Sequence, residues 1–273
     1  MLRRTLRPVL AALMAATLAA TSTVAGQLPA QAEPDAGPPY EYTKEIIDPD
    51  FVVVPLYRAA RILRSQHGYI YESGLQDGHL TVRRVERGLR FADTRTREWR
   101  GLPRACRKVR ARVGIAAICR VPLGISVSQP LLVEVWPRLG DDFTSGATLP
   151  ATIVMSVLGD AGNDVARLGA GADFFNGAFG HDRAFGGAGN DWIRTGTERD
   201  RIWGGPGHDY LIGVAGPDII YGGDGNDRVG GADGDDWLQG DAGADYVTCG
   251  TGTDTVLRDA PDTLRNCEIF REG

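Results

Sequence analysis

Aspartate stands at 164, 173, 182, 191, 200, 209, 218, 227, 236, 245 and 254, a step of nine residues kept without insertion. Two residues before each lies a glycine, with Glu198 the one exception. Two residues after each lies an apolar residue: Ala166, Phe175, Ala184, Ile193, Ile202, Leu211, Ile220, Val229, Leu238, Val247 and Val256. Three registers held from 159 to 256 mark a repeat architecture, and any fold proposed for the chain has to keep all three.

Each unit divides into two parts. The segment Asp-x-U-x, with U mostly β-branched or otherwise large, suits a brief strand with one face buried. The rest carries glycine at its first, often second and fourth positions, which suits a turn that needs φ > 0. Two units then complete a circuit of eighteen residues, with parallel strands stacked about 4.8 Å apart. The expected fold class is all-β: a right-handed parallel β-roll over 159–256, preceded by a smaller β-rich lead-in region. Its core holds one apolar side chain per unit, which is thin.

The winding lines the aspartates up in two files. One runs Asp164, Asp182, Asp200, Asp218, Asp236, Asp254, and the other Asp173, Asp191, Asp209, Asp227, Asp245. Neighbours within a file repel by about 1 kcal/mol per pair even in bulk water. A divalent cation between successive circuits reverses the sign of that interaction. Carboxylates and turn carbonyls offer six to eight oxygens, a donor set for Ca²⁺ rather than for zinc or copper. No Asp-x-Asp-x-Asp-Gly loop with a distal Glu is present, so an EF-hand does not fit. Without calcium the same composition reads as a disordered acidic segment.

The units GGAGNDWIR (186–194), GGPGHDYLI (204–212) and GGDGNDRVG (222–230) resemble the nonapeptide GGxGxDxUx of the RTX, or haemolysin-type, calcium-binding repeat proteins. The resemblance implies a parallel β-roll with Ca²⁺ held between circuits by aspartate side chains and turn carbonyls. Departures from the pattern rank the sites. In the file of Asp191, Asp209, Asp227 and Asp245 the first and fourth glycines are all present: Gly186 and Gly189, Gly204 and Gly207, Gly222 and Gly225, Gly240 and Gly243. Three successive good sites are expected there. In the other file Thr195 and Glu198 replace both glycines before Asp200, so its flanking sites should be weak or empty, while Asp164–Asp182 and Asp218–Asp236 look better. Asp173 and Asp254 complete the candidate ligands, for about four to six ions.

Charge divides the chain at the same boundary. Residues 159–256 hold 17 Asp and Glu against 6 Arg, a net of −11, whereas 33–158 hold 18 Lys and Arg against 14 Asp and Glu, a net of +4. The first 32 residues open with Arg3, Arg4 and Arg7, run apolar from Val9 to Ala20, and end in small-residue cleavage motifs between Ala25 and Ala32. That is the layout of a secretory signal peptide; an uncleaved anchor would need an apolar span of about 20 residues. The expected location is secreted, with no membrane span after cleavage. Many RTX proteins leave through a one-step exporter without such a signal, so toxin-type export is not implied. In an oxidising compartment the four cysteines should pair locally, Cys106–Cys119 and Cys249–Cys267. The second bridge would clamp the open end of the roll, in a cap over 257–273 that resembles the ending of many secreted RTX-repeat proteins.

The lead-in, 44–158, follows a linker at 33–43 and says less. Val52–Val54, His79–Arg83, Leu131–Trp136 and Thr152–Val157 read as strands, and Leu139-Gly140-Asp141-Asp142 resembles a degenerate turn. The basic run RACRKVRAR (104–112) reads as a solvated face turned toward the acidic roll, or as a contact for an extracellular polyanion or cell-surface polymer. Nucleic acid is not the expected partner. Neither His-Glu-x-x-His nor Gly-x-Ser-x-Gly occurs, and His67, His79, His181 and His208 read as surface residues, so no enzyme is expected. The alternatives are an adhesive module working through the basic region, and an enzyme with an unrecognised site in 40–150.

Overall fold

The computed structural model describes residues 58–74, 77–258 and 261–272. The signal peptide, the linker and the expected strand Val52–Val54 lie outside the described residues. Within them the chain is all strand and turn, arranged as two sheets. Units of the repeat feed the sheets alternately. Phe174–Phe179, Trp192–Thr197, Tyr210–Ala215, Arg228–Asp233 and Tyr246–Thr251 stack in parallel in one sheet. Val165–Arg167, Arg183–Phe185, Arg201–Pro206, Ile219–Asp224, Trp237–Ala242 and Thr255–Arg258 stack in parallel in the other. This is the parallel β-roll that the repeat spacing called for.

Register follows from the apolar position. Phe175 pairs with Ile193, Ile193 with Leu211, Leu211 with Val229, and Val229 with Val247. All eleven U residues are at most 2 % exposed. The period-two alternation of a strand turns the residues on either side of U outward. Many strands are longer than the sequence suggested, because they run on through the first two glycine positions before the chain turns.

The lead-in belongs to the same two sheets. Gly68–Glu72 pairs in parallel with Leu131–Trp136, and Leu131–Trp136 with Ile153–Leu158, which passes directly into the repeats. His79–Val85 pairs in parallel with Phe143–Ser145, and that strand with Val165–Arg167. Antiparallel hairpins widen both sheets at this end: Ala59–Arg64 on Gly68–Glu72, and Gly88–Asp93 on His79–Val85. Ile115–Cys119 and Cys106–Val109 follow as the outermost strands. Here the core is thick, with Tyr69, Tyr71, Phe91, Leu89, Val133 and Met155 fully buried. The basic run therefore does not face the roll. Its strand Cys106–Val109 is the far edge of its sheet, with four strands between it and the first repeat strand.

Both disulfides have the local connectivity expected, Cys106–Cys119 across neighbouring strands and Cys249–Cys267 at the C-terminal end. Past Cys249 the strands Thr263–Arg265 and Ile269–Glu272 add one more parallel rung to each sheet.

Candidate metal centre

Each aspartate of the repeat sits where the turn meets the strand, its side chain turned in. All eleven are at most 3 % exposed. The main-chain N–H of each of the first nine donates to Oδ1 of the aspartate one circuit later. In one file the bonds run Asp164 to Asp182, Asp182 to Asp200, Asp200 to Asp218, Asp218 to Asp236 and Asp236 to Asp254, at 2.7–2.9 Å. In the other they run Asp173 to Asp191, Asp191 to Asp209, Asp209 to Asp227 and Asp227 to Asp245, at 2.7–2.8 Å. Backbone amides thus take one oxygen of every carboxylate along two continuous ladders.

The second oxygen has a different environment. Oδ2 of Asp164, Asp182, Asp191, Asp200, Asp209, Asp218, Asp227, Asp236 and Asp254 is buried and accepts no hydrogen bond. Leaving a buried carboxylate oxygen unmatched is costly. The space around it is defined by glycine. A Cβ added to Gly186 would run into Asp191 Oδ2 and the Gly204 carbonyl oxygen; on Gly204 it would meet Asp209 Oδ2 and the Gly222 carbonyl oxygen. Gly222 repeats the arrangement with Asp227 and Gly240, Gly159 with Asp164 and Gly177, and Gly177 with Asp182 and Thr195. The first glycine is therefore small for a reason besides backbone conformation. It clears a cradle in which a carboxylate oxygen of one circuit and a carbonyl oxygen of the next converge. Gly240 leaves room beside the Asp245 carboxylate.

The fourth glycine does something else. At Gly225, φ is 133°, and a Cβ would strike the Gly207 carbonyl oxygen of the circuit below. Gly189, Gly207 and Gly243 are pressed against the same carbonyl one circuit back. These residues set the tightness of the stack.

Three units lack the cradle. Thr195 fills it before Asp200, is fully buried, and donates its hydroxyl to the Gly213 carbonyl oxygen at 3.3 Å, beside the Asp200 carboxylate. Leu168 stands in the same position before Asp173, whose Oδ2 instead accepts from Gly169 N–H at 2.6 Å. Cys249 stands there before Asp254, locked in its disulfide. Glu198 holds φ at 72° where glycine is usual, and its carboxylate accepts Gly180 N–H at 2.8 Å.

Burial is the largest influence on these carboxyls. It raises Asp191 to about 10, with the charges of Asp173 and Asp209 adding to the effect. Asp164, Asp182 and Asp218 rise to about 8, Asp209 to about 7, and Asp227 and Asp236 to about 6, each held back by the amide on Oδ1. Mutual repulsion, on which the sequence reading rested, comes second to desolvation.

The files also extend beyond the repeat. Asp142 Oδ1 accepts from Gly78 N–H, and Asp142 N–H donates to Asp164 Oδ1 at 2.9 Å. At the other end Asp245 N–H donates to Asp262 and Asp254 N–H to Glu268, at 3.1 and 3.3 Å. Of these only Asp142 was legible, in the degenerate turn. A further ladder uses the residue before each aspartate: Asn163 accepts His181 N–H, Asn190 accepts His208 N–H, and His208 Nδ1 accepts Asn226 N–H, at 2.8–2.9 Å. That position reads as variable, yet it repeatedly holds a side-chain acceptor.

A family model for the RTX calcium-binding nonapeptide repeat matches in four copies, at residues 156–184, 185–220, 206–235 and 221–256. Residues 156–256 are RTX calcium-binding repeats. No curated protein and no solved structure matches the chain. The RTX roll suits calcium by its donors, unmatched carboxylate oxygens and carbonyl oxygens. Among the described residues no three His, Cys, Asp or Glu side chains converge on a metal position, so carbonyl oxygens have to complete any donor set.

Proposed function

We propose that this chain is an exported, non-catalytic calcium-binding protein whose roll orders around about four to six ions. The observation that carries the reading is the row of buried, unmatched Oδ2 atoms, of which those of Asp164, Asp182, Asp191, Asp209, Asp227 and Asp236 each lie beside a carbonyl oxygen of the next circuit. Asp191, Asp209, Asp227 and Asp245, with Gly186, Gly204, Gly222 and Gly240 clearing their cradles, form the strongest series. Asp164 with Asp182, and Asp218 with Asp236, supply the rest. The cradles filled by Leu168, Thr195 and Cys249 stay without an ion, so Asp173, Asp200 and Asp254 serve mainly through Oδ1. Bound calcium supplies the positive charge that these buried carboxylates otherwise lack.

Extracellular calcium modules bind at about 10⁻⁴–10⁻³ M. Each tenfold rise in free calcium above the dissociation constant stabilises the folded roll by about 1.4 kcal/mol per site, so several sites together make folding conditional on the medium. The opening 32 residues support export through a cleaved signal. Isothermal titration of the full chain with Ca²⁺, joined to circular dichroism, tests the reading. Heat for several ions should accompany a cooperative gain of strand signal; absence of both contradicts it. Mass spectrometry of the exported chain tests the cleavage, which should fall between Ala25 and Ala32.

A further inference from the structure

One face of the molecule has a charge opposite to that of the roll it belongs to. Over residues 58–158 there are 17 Arg and Lys against 8 Asp and Glu, a net of +9. Glu72, Asp93, Glu134 and Asp142 among those acids are buried. Register gathers much of the cationic excess on the outer side of a single sheet. Arg83 lies opposite Arg90, Arg90 opposite Ile118, and Ile118 opposite Arg107, a line across four strands. In the repeats of the same sheet Arg183 lies opposite Arg201, and Arg167 stands on the preceding strand.

Eight consecutive strands, from Cys106–Val109 to Arg201–Pro206, thus present six arginines on outward positions, and those positions hold no Asp or Glu. At a strand spacing of about 4.8 Å the row extends for about 34 Å. None of the six forms an ion pair within the described residues, whereas Arg61 and Arg138 pair with Glu72, and Arg100 with Glu98. Like charges directly opposite on neighbouring strands destabilise a sheet, and here the arrangement occurs twice. Both burial and the Arg83 charge push Arg90 down from the ordinary arginine range. An external anion is the element that would relieve the crowding.

We infer that this face is a docking surface for a linear acidic polysaccharide, recognised by arginines on successive strands through its sulfate or carboxylate groups. An extended polymer suits a flat, unpaired cationic row better than a compact anion does. The aromatic rings on this face argue against single-stranded nucleic acid, which would need open ring faces for its bases. Phe185 and Trp203 lie 4.5 Å apart and parallel within 2°, Tyr221 continues the stack at 6.0 Å, and the Arg167 guanidinium covers the Phe185 ring at 5.1 Å. Their faces are already used by one another.

The test measures binding of the full chain, in calcium, to dextran sulfate, to hyaluronate and to neutral dextran. At least one of the two anionic polymers should bind and the neutral one should not. Arg83→Gln with Arg90→Gln, and separately Arg183→Gln with Arg201→Gln, should each weaken binding about tenfold. Arg194→Gln with Arg265→Gln, on the opposite sheet, should leave it unchanged. The calcium-induced strand signal of every variant should match the parent, which separates loss of docking from loss of the roll. Failure to bind either anionic polymer overturns the inference. So does equal loss in the opposite-sheet variant, or equally tight binding of single-stranded DNA of matched charge.

Discussion

Thr195 takes the place that glycine holds in eight of the eleven units, and its side chain occupies the space where two oxygens converge elsewhere. Replacing Thr195 with Gly should therefore open the cradle beside Asp200 and add one ion to the stoichiometry measured by titration. Overpacking is the converse experiment. Gly204→Val places a branched side chain against Asp209 Oδ2 and the Gly222 carbonyl oxygen, and such insertions cost about 1–3 kcal/mol. That variant should bind one ion fewer than the parent and melt at lower temperature in saturating calcium. A variant that kept full stoichiometry would show that the cradle is not where the ion sits.

At the scale of the strand-and-turn unit, the raised carboxyls set a pH dependence whose sign reverses with metal. A carboxyl raised in the folded state holds protons that the unfolded chain has already released. Metal-free folding is therefore favoured below the usual carboxylate value of about 4. It loses that support as pH climbs through about 6 to 8, where Asp227, Asp236, Asp209, Asp164, Asp182 and Asp218 ionise. Calcium competes with the same protons, so the loaded roll should gain stability over that interval. Circular dichroism in chelator should show more strand at about pH 5 than at about pH 8, and the order should invert with calcium. The unit itself was legible in the sequence, because U, Asp and glycine recur at fixed offsets. Leu131–Trp136 was found as expected, and His79–Val85 and Ile153–Leu158 within two residues of expectation. The strands at 59–64, 68–72, 88–93, 98–101, 106–109 and 115–119 were not. Some pair in antiparallel hairpins and others across long excursions such as Gly68 to Leu132, and neither kind keeps a fixed period. Asp262 and Glu268 escaped for the same reason, since each continues a file after the step of nine has lapsed.

Across the whole molecule the two ends differ in what holds them. The lead-in packs Tyr69, Tyr71, Phe91, Leu131 and Val133 into a shared core, whereas most repeats contribute a single apolar side chain to it. Chelation should therefore remove amide protection from 164–254 and spare the strands around Tyr71 and Phe91, as hydrogen exchange can show. Cys249→Ser with Cys267→Ser removes a bridge at the far end, and loss of a native bridge costs about 2–5 kcal/mol; that double variant should melt earlier, with fraying that begins near Tyr246. Every amide in the two ladders reaches forward to an acceptor one circuit on, within the repeats eighteen residues away, as Asp191 reaches to Asp209. A chain emerging N-terminus first thus has each loop waiting for the next to arrive before it can close. Each lap is finished by the one after it, and 262–268 supply the acceptors that finish the laps of Asp245 and Asp254.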